Sequence, residues 1–237
     1  MYATLDCPAC GAPIQQPLSY PEGVIKCLYC GKILHLPKKN KSEFNEPGIL
    51  YRADFNDPNL TGWEKINPDK VSLKTGSIPE IHANFPSSER VHFILKTSGY
   101  LDDQDMRVKI RFLQGDCDLI HAGVCARYED GIGGYCVLIS PNRHYIIGCY
   151  ETPPGGEMAW RAIVSWRFNS ALKAGLNETN ELRFVLKGVQ LSVYLNGVLA
   201  TSMKDTFYSK GQSHLAVEPS NRSDISVAFS DLVIFEA

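Results

Sequence analysis

The sequence predicts an all-β protein: a two-sheet antiparallel sandwich preceded by a small segment stapled by metal. Three observations carry this. Four cysteines stand as Cys7-Pro8-Ala9-Cys10 and Cys27-Leu28-Tyr29-Cys30, two CxxC pairs separated by sixteen residues, each followed by a glycine. From Ile49 onward, apolar residues recur at period two, the alternation of strands with one buried and one wet face. Turn residues punctuate these runs, and Asn196-Gly197 supplies the positive φ that a two-residue type I′ hairpin needs at both positions.

Composition narrows the class. The chain has 237 residues, 44% hydrophobic and 21% charged, the make-up of an ordinary globular protein longer than one average domain. A formal net charge of −2 lacks the basic excess of a general nucleic-acid coat. No run of eighteen apolar residues occurs, so no transmembrane helix is expected. Met1-Tyr2-Ala3-Thr4-Leu5-Asp6 has neither the basic nor the apolar region of a secretory signal, and a cytoplasmic location is the expectation.

The two CxxC turns aim Cys7, Cys10, Cys27 and Cys30 at one ion. Four sulfurs fill a tetrahedron and leave no position for water or substrate, so the predicted Zn2+ is structural. Residues 1–37 are too few to bury a core, and the metal must hold them together. Ile14–Pro17, Gly23–Lys26 and Lys32–Leu36 read as short strands around the knuckles. With these strands the segment resembles a zinc ribbon, a likeness specific for metal and silent on partner. A rubredoxin-type iron site is the lesser alternative, since four sulfurs serve either ion. His35 is not needed as a ligand.

Residues 38–48, polar and punctuated by Pro47-Gly48, read as a linker, which places the sandwich at 49–237. Over 1–48, Lys26, Lys32, Lys38, Lys39 and Lys41 face Asp6, Glu22, Glu43 and Glu46, a poor electrostatic footprint for nucleic acid.

Within the sandwich, Arg107–Phe112 alternates charged and apolar residues. Leu182, Phe184 and Leu186, then Leu191, Val193 and Leu195, then Ile225, Val227 and Phe229 repeat the pattern. Residues 124–128, 135–140 and 145–150 are further strands, joined through Glu129–Gly134 and Pro141–His144. Together they read as an antiparallel meander of some twelve short strands, folded into two sheets. Cys117, Cys125, Cys136 and Cys149 lie in apolar segments and read as buried, reduced thiols.

A resemblance follows from particular strings. Asp54-Phe55-Asn56-Asp57 with Gly62-Trp63, Ala122–Tyr128, Gly134–Ile139, Asn180–Phe184, Leu191–Gly197 and Val227–Leu232 resemble strand signatures of concanavalin A-like (laminin-G-like) jelly rolls. They are most similar to the bacterial branch of 3-keto-disaccharide hydrolase-like domains. The resemblance implies sugar recognition or, in some members, sugar cleavage. Laminarinase-type glycosidases on this fold carry Glu-x-Asp-x-x-Glu on one strand, and this chain has no such string. Glu129, Asp130, Glu151, Glu157 and Glu218 are the remaining catalytic candidates, although solvated carboxylates beside turns are the simpler reading. Asp102-Asp103-Gln104-Asp105 and Asp116-Cys117-Asp118 offer oxygens to Ca2+ but lack the EF-hand spacing and its bidentate glutamate, so calcium is not favoured.

For a binding surface, Val124 and Ala126 facing inward would place Cys125 and Arg127 on the opposite face. Neighbouring strands and loops bring Tyr128, Tyr135, Tyr145, Trp160 and Trp166. Aromatic rings and a planar guanidinium suit a pyranose, with its apolar C–H face and its hydroxyls; ordinary core packing of the aromatics is the competing reading. The expected function is non-catalytic recognition of a glycan or a protein partner. A glycoside hydrolase or lyase and a nucleic-acid-associated zinc ribbon are the alternatives.

Overall fold

The computed structural model describes residues 4–6, 13–15, 24–26, 30, 33–35, 48–88, 90–151 and 159–237. The chain divides into two compact units, Met1–Asn45 and Glu46–Ala237. In the first, β1 (Thr4–Asp6) pairs antiparallel with β2 (Pro13–Gln15), and β3 (Val24–Lys26) with β4 (Ile33–His35). Cys7, Cys10 and Cys27, three of the four expected zinc ligands, lie outside the described residues, as does the expected linker up to residue 47.

The second unit is a sandwich of two antiparallel sheets. The eight-stranded sheet contains β5 (Ile49–Arg52), β7 (Val71–Lys74), β8 (Glu80–Phe85), β10 (Gln104–Gln114), β15 (Thr179–Lys187), β16 (Gln190–Leu195), β17 (Val198–Lys204) and β19 (Ile225–Phe235). Its order is β17-β16-β15-β10-β19-β8-β7, with β5 also paired to β19. The seven-stranded sheet contains β6 (Trp63–Lys65), β9 (His92–Thr97), β11 (His121–Glu129), β12 (Gly133–Ile139), β13 (His144–Glu151), β14 (Ala159–Phe168) and β18 (Gln212–Glu218). It runs β14-β13-β12-β11-β18-β9-β6. No helix among the described residues is long and apolar enough to cross a membrane.

The alternation read from sequence is realised in three dimensions. On β10, Val108, Ile110 and Phe112 are buried while Arg107, Lys109 and Arg111 are only partly so. Their inward neighbours Leu182, Phe184, Leu186, Val227 and Phe229 join Val124, Val137, Ile147, Leu215 and Val217 of the opposite sheet in one core. Each such side chain contributes about 1.5–3 kcal/mol when removed from water. Asn196 and Gly197, at φ 48° and 80°, form the hairpin between β16 and β17, as their sequence requires.

Two expectations are corrected. The strands are not one meander: β11 to β14 and β15 to β17 are meanders, but β10 sits between β15 and β19, and β18 sits between β11 and β9. Alternation reports which face of a strand is buried and says nothing of its distant partner. Nor are all four sandwich cysteines free. Cys125 and Cys136 stand directly opposite each other on β11 and β12, 4.1 Å apart at Cα, and form a disulfide. Cys149 is a buried thiol, its pKa pushed up to about 12 by burial and by the Glu151 carboxylate it bonds; Cys117 is part-buried.

Candidate functional site

The seven-stranded sheet has a second face, turned away from the core, and its strand register lays residues across it in rows. One row reads Ala162, Gly148, Cys136, Cys125, His214 and Lys96, from β14 to β9. The adjacent row reads Ile146, Leu138, Gly123, Ala216 and Phe93. Cys125, Cys136, Leu138, Ile146 and Ala216 form a small apolar cluster, with Val91, Phe93, Tyr150 and Trp160 packed against it. This side of the sheet is therefore apolar, and the cluster itself is buried.

Each end of this face carries aromatic rings. At one, Tyr150 and Trp160 are cross-strand partners on β13 and β14 with ring centroids 5.0 Å apart. The Trp160 indole lies over Gly148: a Cβ there would stand 2.3 Å from Trp160 Cζ2. Only a residue without a side chain leaves room for the ring in that position. Beside it, Tyr128 packs edge-on against Phe93 and His214, and burial pushes its hydroxyl pKa up to about 12.

At the other end, His121 Nδ1 lies 2.8 Å from Glu218 Oε2, a pair made by the direct β11–β18 register. The Trp166 ring packs against the His121 imidazole at a tilt of 35°, centroids 4.3 Å apart, while the indole is 39% exposed. On the same edge, Phe168, 60% exposed, packs against His144, and the His144 Nδ1 lies 2.9 Å from Asn142 Oδ1. An aromatic surface with adjacent hydrogen-bonding groups can hold a hydroxylated ring by stacking and by polar contacts at its rim.

The six residues singled out from sequence are not all on this face. Trp160, Trp166 and Tyr128 are. Arg127 is buried instead, because a register shift after Ala126 and a φ of 49° turn it away from strict alternation. Its guanidinium donates to the carbonyls of Asp102 (2.8 Å) and Tyr208 (3.0 Å) and to Asp103 Oδ1 (3.1 Å). Tyr135 is fully buried in the core, and Tyr145 nearly so, with its hydroxyl 2.7 Å from Thr201 Oγ1. His121, Tyr150 and Phe93 belong to the face and carried no sequence signal beyond their place in an alternating run.

Of the carboxylates considered for catalysis, Glu218 lies in the His121 cluster. Glu151 is bonded to Arg161, which holds its pKa below the usual range. Glu129 and Asp130 border the β11–β12 turn, with Asp130 exposed, and Glu157 lies outside the described residues. Asp103 serves Arg127 and the Gly188 amide, and Asp105 is held between Arg107 and Arg183. Among the described residues no group of three or more His, Cys, Asp or Glu is placed to hold a metal ion.

The architecture matches known structures over most of the chain. A carbohydrate-binding module, CBM66 from Bacillus subtilis, superposes with a TM-score of 0.55 at 18% identity, covering 75% of this chain and 98% of that one. The fold is the concanavalin A-like jelly roll. A GH16 enzyme of a mixed-linkage glucan locus in Bacteroides ovatus gives a TM-score of 0.58 at 11% identity, covering 79% of this chain and 100% of that one. A β-glucanase from Bacillus licheniformis gives 0.54 at 13% identity, covering 81% and 99%. No protein-family model matches the chain, and no curated protein does so by sequence. The jelly roll is thus shared with carbohydrate-binding modules and GH16 glycoside hydrolases, and fold alone does not choose between them.

Proposed function

We propose that the sandwich is a non-catalytic recognition domain that binds a neutral glucan on the outer face of its seven-stranded sheet. The observation that carries this is the exposed Trp166 ring, packed against His121, which is itself paired with Glu218. The ring offers an apolar platform, and the imidazole and carboxylate beside it can bond sugar hydroxyls. The carboxylate favours a neutral sugar over an anionic one by simple charge repulsion. Relatives in fold that bind or cleave carbohydrate make a glucan the first ligand to try.

Hydrolysis of a glycosidic bond ordinarily takes two carboxyl groups flanking that bond. Among the described carboxylates weighed above, Glu129, Asp130 and Glu151 lie at the opposite ends of their strands from His121, the partner of Glu218, which favours binding over cleavage. The deciding experiment titrates mixed-linkage glucan against the full chain by calorimetry and assays released reducing ends in parallel. Saturable binding that Trp166→Ala and Glu218→Gln each weaken, with no reducing ends, supports the proposal. Binding unaffected by both substitutions, or no binding, overturns it; steady release of reducing ends abolished by Glu218→Gln replaces it with a glycosidase.

A structural zinc at Cys7, Cys10, Cys27 and Cys30 belongs to the same proposal and is supported by the CxxC spacing. Metal analysis of the purified protein tests it: one zinc per chain is expected, and none in the Cys7→Ser, Cys27→Ser variant.

A further inference from the structure

Resting on the glycan-binding reading above, we infer that His144 is a second ligand-binding residue of the Trp166 end, and that both histidines there accept hydrogen bonds from sugar hydroxyls through Nε2. The tautomer of each ring follows from what its other nitrogen faces. His121 Nδ1 lies 2.8 Å from Glu218 Oε2. A carboxylate only accepts, so the Nδ1 proton points to it and the neutral ring carries its lone pair on Nε2. For His144 the assignment runs through two further residues. Asp118 Oδ1 is an acceptor, so the Asn142 amide turns its Nδ2 to it, at 2.8 Å. Asn142 Oδ1 then faces the Ser140 hydroxyl and His144 Nδ1, the latter at 2.9 Å, and the Asn142 carbonyl oxygen lies 3.1 Å from the same nitrogen. Two acceptors facing Nδ1 put the proton there and leave the lone pair on Nε2.

Both Nε2 atoms are open. Neither makes a hydrogen bond among the described residues, and neither is sealed from solvent. Each belongs to a ring beside an exposed aromatic: Trp166 packs against His121, and Phe168, 60% exposed, meets His144 edge-on with centroids 5.8 Å apart. Trp166 and Phe168 stand two residues apart on β14, on one side of the strand. The turn that carries Asn142 is closed by backbone bonds from Ser140 N to the His144 carbonyl, at 2.9 Å, and from Arg143 N to the Ser140 carbonyl, at 3.2 Å. The Asp118–Asn142–His144 chain is therefore set before a ligand arrives, which lowers the cost of binding. An acceptor nitrogen beside an apolar ring suits a sugar, which stacks through its C–H face and donates from its hydroxyls. Glu218 and the two imidazoles all accept, so the ligand supplies the protons. A methyl ether in place of the hydroxyl has no proton to give and leaves the nitrogen desolvated and unpaired.

Two measurements on the full chain test this. Nitrogen NMR of the imidazoles at neutral pH should show His121 and His144 protonated on Nδ1 alone, and a mixed-linkage glucan tetrasaccharide should shift both Nε2 resonances. Calorimetry should find that tetrasaccharide bound roughly three- to tenfold more weakly by His144→Phe, which keeps a ring against Phe168 and removes the acceptor. The O-methylated tetrasaccharide should bind the wild type at least as much more weakly. Thermal melts confirm that the variant folds, and the tautomer and the O-methyl comparison, both read on the wild type, decide the matter if it does not. A His144 ring protonated on Nε2, wild-type affinity in a folded His144→Phe, or equal binding of the two tetrasaccharides overturns this inference while the glycan-binding reading stands. No binding of the unmodified tetrasaccharide by the wild type overturns both.

Discussion

The Tyr135 hydroxyl on β12 donates to Asp205 Oδ1 at 2.5 Å and accepts the backbone N–H of Tyr208 at 3.1 Å. It joins the seven-stranded sheet to the segment after β17. Burial, reinforced by the Asp205 bond, raises the pKa of this hydroxyl well above the ordinary tyrosine value, so it stays a donor at any physiological pH. Tyr135→Phe removes the donor to Asp205 and leaves the Tyr208 amide without its acceptor. The expected cost is about 1–3 kcal/mol in urea unfolding, the desolvation penalty of orphaned polar groups, with glucan affinity unchanged. A loss of affinity without a loss of stability would return Tyr135 to the ligand site.

His214 is buried on the outer face between Phe93 and Tyr128, and neither ring nitrogen has a hydrogen-bond partner among the described residues. Burial, with the nearby Lys96 charge, pushes its pKa from 6.5 down to about 3. The folded state thus holds the neutral ring, and the unfolded state binds the proton more readily below pH 6.5. Stability from this group is complete above pH 6.5 and lost as pH falls toward 3. His214→Phe keeps a ring between Phe93 and Tyr128 and removes both unpaired nitrogens. Melting temperatures measured across that pH window should fall less steeply for the variant than for the wild type; parallel profiles would show that His214 does not set the slope.

Where sequence reading succeeded, a local pattern and the final environment coincide. Val108, Ile110 and Phe112 alternate with charges because one face of β10 is core, and Asn196-Gly197 makes a turn whatever lies around it. The site was less legible, since its parts meet only through long-range pairing. His121 and Glu218 are 97 residues apart in sequence and adjacent only because β18 lies beside β11. Arg127 was assigned to the outer face by parity, and a single residue at φ 49° was enough to bury it. Trp160 and Trp166 were singled out from sequence as candidate binding residues, and, six residues apart on β14, they keep the parity of strict alternation because the two bulges between them cancel.

The Cys125–Cys136 bridge closes a short loop, at a sequence separation of 11, and confines the unfolded chain. Its reduction is expected to cost up to about 3 kcal/mol. The wild type should melt at a lower temperature in reductant, and the double variant Cys125→Ala, Cys136→Ala should melt at one temperature with or without it. Under denaturant and with metal removed, six of the eight cysteines should titrate as thiols; eight would show that the bridge does not form in solution. A bridge that persists in solution would fit an oxidising compartment.

Gly148 lies beneath the Trp160 indole. A Cβ added there would meet Trp160 Cζ2 at 2.3 Å and the Arg161 carbonyl oxygen at 2.7 Å. The indole can swing aside, whereas the backbone oxygen cannot move without disturbing the β13–β14 pairing. Gly148→Ala is therefore expected to cost about 1–3 kcal/mol through overpacking and to lift the Trp160 ring from the sheet. Two readouts separate these effects. Tryptophan fluorescence should shift as Trp160 leaves its apolar bed, and affinity for a long glucan oligomer should drop. A variant that is destabilised yet binds the long oligomer like the wild type would mean that the indole's resting position over Gly148 does not contribute to recognition.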